Sequence, residues 1–203
     1  MYHIYRMDIQ DRGAKICWFL TEIGVPFSMA FMDHHKFHFD PEFLKKHPLG
    51  LVPVLHDVAL DFYMFESSAI LLYLAKKHPS EMVGNWSGIE FAKVMQWFAY
   101  NNCTLEPIYE QYFSLKDKTS DPRAAVILAS IANILAPIET QLQSTPYIAG
   151  QEFSLADLAL SQTLYWLTRL PLVDNFPMIK PYLRKITQRP AAIHTGLFPR
   201  KNF

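Results

Sequence analysis

His47-Pro48-Leu49-Gly50-Leu51-Val52-Pro53-Val54-Leu55, followed after a short strand-like run by Phe65-Glu66-Ser67-Ser68-Ala69-Ile70, decides the reading of this chain. Val52-Pro53-Val54-Leu55 has the composition of a strand but carries a proline near its start. Proline has no backbone N–H to give, so it belongs in a bend at the beginning of a strand and not inside a central one. X–Pro is also the one peptide bond at which the cis form is cheap. A cis proline here would turn the N–H and C=O of Val52 outward, free to pair with an extended ligand. Glu66-Ser67-Ser68 stands where a strand gives way to a helix. The unpaired N–H groups and the dipole of a helix start favour a carboxylate. Each half has a plainer reading alone: Ser67 as a helix cap and Pro53 as a turn residue.

Outward from this stretch the chain reads as alternating elements. Tyr2 to Met7 is aromatic and β-branched enough for a strand. Ile16, Phe19, Leu20 and Ile23 follow helical spacing and Gly24 ends the helix. Val25 to Met32 reads as a second strand, and Asp40-Pro41 opens a short helix to Lys46. Val52 to His56 and Leu60 to Phe65 are two further strands, and Ser67 to His78 is a helix ended by Pro79. The order βαβαββα is that of a thioredoxin-like domain, placed at residues 1–79, with a linker at 80–86. Residues 87–203 form an all-α helical-bundle domain. Its helices run from about Ile89 to Thr104, Pro107 to Leu115, Asp121 to Gln143, Ser154 onward, and Pro177 to Gln188, with Arg189-Pro190 closing the last. Ser154-Leu155-Ala156-Asp157 reads as a capping box. The fold class is therefore α+β.

Composition narrows the function. Half of the 203 residues are hydrophobic and 19% are charged, which suits a packed core. Lys plus Arg equals Asp plus Glu at 19 each, and no basic block occurs, so nucleic acid is not an expected partner. The first residues lack a signal-peptide pattern and no run approaches about 18 apolar residues, so no membrane association is expected. Cys17 and Cys103 are too few for a disulfide framework, which fits an intracellular, cytoplasmic location.

The Val52-Pro53 and Glu66-Ser67 pairs, set in that element order, resemble the glutathione-binding half of the cytosolic glutathione transferase family. Tyr147-Ile148-Ala149-Gly150-Gln151-Glu152-Phe153-Ser154-Leu155-Ala156-Asp157 looks like the family's helical-domain signature, and the resemblance covers nearly the whole chain. It implies a reaction: attack of the glutathione thiolate on a small apolar electrophile, with glutathione as co-substrate, in detoxification. It also implies a homodimer, with an interface around Ser68 to Lys77 and Ile89 to Asn102. Ser67 would hold the γ-glutamyl carboxylate and Glu66 the ammonium. Val52, beside Pro53, would pair with the cysteine backbone. The glycine carboxylate calls for a cation, for which Lys36 is the choice among Lys36, His35, His38, Lys46 and His47.

The family activates the thiol with one hydrogen-bond donor, commonly Tyr, Ser or Cys near the first strand's end or the first helix's start. Between Arg6 and Lys15 this chain has no Ser, Thr, Cys or Tyr. Three candidates stand: Tyr5, which doubles as a strand aromatic, and Gln10 and Arg12, which sit where donors occur in serine-type and related bacterial classes. Cys17 lies a turn inside the first helix and reads as a small buried hydrophobe, as does Cys103. His34, His35 and His38 lack the converging ligands of a metal site, so no metal is expected. Tyr100, Asn101 and Tyr109 form a polar, aromatic stripe that could line the electrophile pocket. Two other functions fit the same fold. One is a non-catalytic binding or scaffold protein, which the missing hydroxyl donor favours. The other is a glutathione-dependent thiol reductase or peroxidase.

Overall fold

Strand β1 (Tyr2–Arg6) is the register line of the sheet. Its alternation is two-sided: Tyr2, Ile4 and Arg6 are buried, while His3 and Tyr5 on the other face are half-buried. A computed structural model describes residues 1–7, 10–33, 36–83, 88–115 and 121–198. β1 pairs in parallel with β2 (Phe27–Phe31) and antiparallel with β3 (Val54–Asp57), which pairs antiparallel with β4 (Phe62–Phe65). The strand order is β2-β1-β3-β4. Helices α1 (Gly13–Glu22), α2 (Pro41–Leu44) and α3 (Ser67–Lys77) complete a thioredoxin-like βαβαββα path.

Asp40 caps α2, accepting the Glu42 N–H at 3.0 Å, and Pro41 takes the first turn, where its missing N–H costs nothing. In α1, Ala14, Ile16, Cys17, Trp18, Phe19 and Leu20 are all buried. A helix apolar all round must be covered all round. α1 packs on β1 and α3, and on a further helix, α9 (Pro190–Thr195). That last helix departs from the sequence reading, which lets Arg189-Pro190 end the chain's helices and runs the helical domain to residue 203. Pro190 instead opens α9 in the first-turn position. Arg189 grips Glu22 with two hydrogen bonds at 2.8 and 2.9 Å, and Phe198 meets the Trp18 ring edge-on at 5.7 Å. Residues 188–198 therefore group with Met1–Ser80, and Glu81–Thr187 forms a second compact unit.

The second unit is helical. α4 (Ile89–Tyr100) continues through a π turn (Asn101–Leu105) into α5 (Glu106–Phe113). The sequence reading breaks the helix here. The ladder instead shifts to a wider spacing just before Pro107, which cannot supply the N–H that the preceding turn would need. Cys103 lies in this turn and is exposed, not the buried hydrophobe expected. α6 (Pro122–Ser144) has 23 residues, and by length and composition alone it could cross a membrane, an 18-residue window of it reaching a mean hydropathy of 1.5. Ile131, Leu135, Ile138 and Leu142 bury one face of it. On that face the Glu139 carboxylate accepts the Met178 N–H at 3.0 and 3.1 Å, just ahead of α8 (Ile179–Thr187). α7 (Leu155–Leu167) is almost wholly buried, as the central helix of a bundle must be. Its capping box forms as expected, with the Ser154 N–H donating to Asp157 at 2.8 Å.

At the far end of β3 the Asp57 side chain is 1% exposed and accepts from Lys77 and from the Tyr73 hydroxyl, the latter at 2.5 Å. Burial works to raise the Asp57 pKa, and the bonds from Lys77 and Tyr73 outweigh it, so it lies below the usual aspartate value. The folded protein thus favours the charged form more than the unfolded chain does. This contribution is full above the unfolded pKa, about 3.9, and disappears as pH falls through the lower folded value. Asp57→Asn is expected to cost about 2 kcal/mol at neutral pH and to flatten the acid limb of a denaturation-midpoint profile. An acid limb unchanged by the substitution would show that other carboxylates govern it.

Candidate functional site

Pairing register assembles the site. Tyr5 faces Val54 and Val54 faces Phe65, so β1 ends, β3 begins and β4 ends at one edge of the sheet. Whatever lies just beyond those residues meets there. Beyond β1 come Gln10 and Arg12, before β3 come Val52 and Pro53, and beyond β4 come Glu66 and Ser67. Parallel pairing of Arg6 with Phe31 brings the segment after β2, with Lys36 and His38, to the same edge.

The Val52–Pro53 bond is cis. Among the described residues neither the N–H nor the C=O of Val52 has a hydrogen-bond partner. The Val52 side chain packs with Tyr5, Met32 and Tyr63 on Phe37, Phe43 and Val54. Pro53 lies against the first turn of α1: a Cβ on Gly13 would stand 3.4 Å from Pro53 Cβ and 3.0 Å from Arg6 Cβ. Gly13 is thus small because the proline loop and β1 leave no more room. Gly50 has φ +59, and a Cβ there would come within 2.5 Å of the His38 carbonyl. The His38 ring also bonds the Gly50 carbonyl at 2.6 Å. The quoted stretch is therefore pinned at both ends.

Ser67 is the first residue of α3 and is 7% exposed. Glu66 precedes it with φ 70 and ψ 107, a conformation that side-chain-bearing residues rarely adopt, and its side chain is exposed. The His47 ring packs on Phe65 at 4.7 Å. Burial pushes the His47 pKa down, while the nearby Glu66 charge acts the other way.

The candidate thiol-activating groups separate. Tyr5 packs against Phe43 and Tyr63, with ring centroids 6.0 and 6.4 Å away, and Lys46 Nζ sits 5.4 Å from its ring centre. Its pKa is raised, by burial first and then by Tyr63. Gln10 and Arg12 are half-buried at the start of α1, with Arg12 in the N-cap position. Asp11 between them is a functional candidate the sequence reading missed. Its carboxylate accepts the Met7 N–H at 2.6 Å and the Ala14 N–H at 3.2 Å and pairs with buried Arg6 at 3.1 Å. One side chain thus clamps both ends of the segment holding Gln10 and Arg12. An aspartate three residues before a helical position is a cap signal the sequence did contain. Cys17 is buried, and burial pushes its thiol up to about 11, so it stays neutral at physiological pH.

Of the cations, Lys36 is exposed and paired with Asp33 at 3.1 Å, and the buried His47 ring accepts the Leu49 N–H at 3.1 Å. His34 and His35 lie outside the described residues. Among the described residues no cluster of three metal-ligating side chains occurs.

The expected electrophile residues all lie in the second unit. The Tyr100 hydroxyl donates to the Ile134 carbonyl at 2.9 Å, within the helix turn where Pro137 interrupts α6. Asn101 is fully buried in the π turn, donating to Asn102 at 3.1 Å and to Glu106 at 3.4 Å. Tyr109 lines a cavity of about 210 Å³, with Glu110, Phe113, Trp166 and Arg169.

With this geometry in place, comparison with known proteins is direct. Residues 2–76 match the glutathione S-transferase N-terminal domain and residues 106–190 its C-terminal domain. Glutathione S-transferase F13 of Arabidopsis thaliana is 31% identical, over 93% of this chain and 91% of its own. Elongation factor 1-gamma-B of Xenopus laevis is 32% identical over 67% of this chain and 31% of its own. A glutathione transferase family member from Pseudomonas fluorescens, solved with two glutathione bound, superposes with a TM-score of 0.85 at 25% identity, covering 96% of this chain and 91% of that one. The chain belongs to the glutathione S-transferase family.

Proposed function

We propose that this protein binds glutathione at the edge of the first unit and conjugates its thiolate to a small apolar electrophile, as a cytoplasmic, homodimeric detoxification enzyme. The observation that carries the reading is the register Tyr5–Val54–Phe65, which gathers Val52, Ser67 with Glu66, and the Gln10–Arg12 segment at one place. Glutathione-bound relatives of the same fold support it. Ser67 takes the γ-glutamyl carboxylate at the N-terminus of α3, and exposed Glu66 takes the ammonium. The backbone of Val52 pairs with the cysteine residue in strand fashion. Lys36 can exchange Asp33 for the glycine carboxylate at little cost, because exposed ion pairs are weak.

The step itself forms a C–S bond while the leaving group departs with its electron pair; the thiol proton goes to water beforehand. The protein's contribution is to hold the thiolate. The donor we favour is in the Gln10–Arg12 segment: Arg12 brings charge and the start of α1 brings its dipole, whereas the Tyr5 ring is engaged by Phe43 and Tyr63. Arg12→Met is expected to lower kcat/KM about 10- to 100-fold and shift its alkaline rise upward. Tyr5→Phe is expected to stay within about threefold on the same reading. The reverse ranking would make Tyr5 the donor.

A calorimetric titration with reduced glutathione tests the reading at its base: saturable binding at one site per chain is expected. No binding at millimolar ligand would overturn it. The likeness to an elongation-factor subunit favours a second reading, a binding module without chemistry. Glutathione binding without conjugation of any electrophile would select it. A reductase using a protein thiol is disfavoured by the raised pKa of buried Cys17.

A further inference from the structure

The face of the sheet that carries His3 and Tyr5 holds a second polar grouping, set back along β1 from the glutathione edge. Register lays it out: Ser28 stands opposite His3, His3 opposite His56 and His56 opposite Tyr63, one side chain from each strand. Directly opposed residues in an antiparallel pair project from the same face, with Cβ atoms about 4.5–5.5 Å apart. The contacts agree. His3 Nδ1 and Ser28 Oγ are 2.8 Å apart, and the His56 and Tyr63 rings stack at 4.1 Å, 5° from parallel. His3 and His56 form the middle pair of the row, and both are half-buried.

Hydrogen bonding fixes which nitrogen of each ring carries the proton. The Ser28 hydroxyl donates to the Tyr2 carbonyl at 3.4 Å, so toward His3 it accepts, and Nδ1 is the protonated nitrogen there. His56 Nε2 meets the Asp61 carboxylate at 3.1 Å; an ionised carboxylate only accepts, so Nε2 carries the proton in this ring. That leaves a bare lone pair on His3 Nε2 and on His56 Nδ1. Among the described residues neither atom has a hydrogen-bond partner. Burial first, and the neighbouring His56 second, hold the His3 pKa below its ordinary value, so its ring is neutral at physiological pH. A neutral imidazole whose other N–H is held by an oxygen is the form in which histidine ligates metals.

We propose that His3 and His56 together bind one divalent transition-metal ion of the zinc kind, His3 through Nε2 and His56 through Nδ1. Two imidazoles on facing strands can share an ion that takes each nitrogen at about 2.0–2.1 Å. Imidazole selects such ions over magnesium and calcium, which take oxygen ligands. Two protein ligands are fewer than the three or four of a catalytic or structural zinc site, so water completes the coordination and the ion exchanges. Ser28 and Asp61 orient the rings without touching the ion. A bound ion ties β1 to β3 at His3 and His56, on the face that Tyr5 and Val54 share.

The test is calorimetric titration of the full chain with zinc chloride in a non-chelating buffer, without glutathione. One site per chain is expected. His3→Gln and His56→Gln, made separately, are each expected to weaken it by about tenfold or more, because each removes one of the two ligands. Either variant carries the test if the other does not fold. Cys103→Ser is expected to leave zinc affinity unchanged, although that thiol is exposed, and magnesium chloride is expected not to bind. No zinc binding at millimolar ion, unchanged affinity in the histidine variants, loss of the site in Cys103→Ser, or equal binding of magnesium would overturn the proposal. Glutathione is absent throughout and neither histidine is among the residues proposed to hold it, so failure here leaves the glutathione titration unaffected, and the reverse holds too.

Discussion

Glu66→Ala with Ser67→Ala is expected to weaken glutathione binding by at least about a hundredfold while the protein stays folded. Each substitution removes a charge-assisted hydrogen bond worth about 1.5–3 kcal/mol, and every 1.4 kcal/mol is about tenfold. The fold should survive because Glu66 is exposed and Ser67 makes no side-chain bond to another described residue that would be lost. Glu66 also allows a sharper test. Its φ of 70 costs a side-chain-bearing residue about 1–3 kcal/mol, and glycine accepts that conformation freely. Glu66→Gly should therefore keep or raise the denaturation midpoint while glutathione affinity falls. A residue kept for structure would show the opposite, a protein destabilised by glycine. Unchanged affinity in the double variant would remove Glu66 and Ser67 from the site.

The two halves of the site were unequally legible in the sequence. Val52-Pro53 and Glu66-Ser67 could be read because local chemistry marks them: a proline that cannot sit inside a strand, and a serine where a strand becomes a helix. What brings them together is register, and register is a long-range property. Only pairing of Tyr5 with Val54 and Val54 with Phe65 shows that the three segments share an edge. The same limit applies to helices. Pro190 reads as a stop after Gln188 because the sequence does not show that Arg189 has Glu22 to hold, 167 residues away. With that anchor, the same proline starts α9. Cys103 and Cys17 look alike as sequence, yet the π turn before Pro107 leaves one exposed while α1 buries the other. The cavity beside Tyr109 was half legible. Tyr109 stood out as an aromatic on a polar stripe, but Trp166 and Arg169 come from another helix and its end and carry no local mark.

Asp157→Ala is expected to be the most destabilising single change in the helical unit, at about 3–5 kcal/mol. The carboxylate is fully buried and accepts four hydrogen bonds. One oxygen takes the Ile148 N–H and the Tyr182 hydroxyl, each at 2.8 Å; the other takes the Ser154 N–H at 2.8 Å and the Ser154 hydroxyl at 2.7 Å. Three segments meet on one side chain: the glycine turn at Ile148, the cap of α7 and the face of α8. Alanine would leave those donors without an acceptor in a place water does not reach. Two effects compete at Asp157 itself, burial pushing its carboxyl pKa up and the four bonds pulling it down. Asp157→Asn separates them. If the buried charge is the main cost, asparagine should be nearly neutral. If the four donors are what matter, asparagine should lose about 2 kcal/mol or more, since its NH₂ group must face a donor where the second oxygen stood. We expect the second result, with Tyr182→Phe costing about 1 kcal/mol for its one bond. Denaturant unfolding of the three variants gives the ranking. The loss should appear in the midpoint and not in glutathione affinity per folded molecule, because none of Asp157's partners is among the residues proposed to hold glutathione.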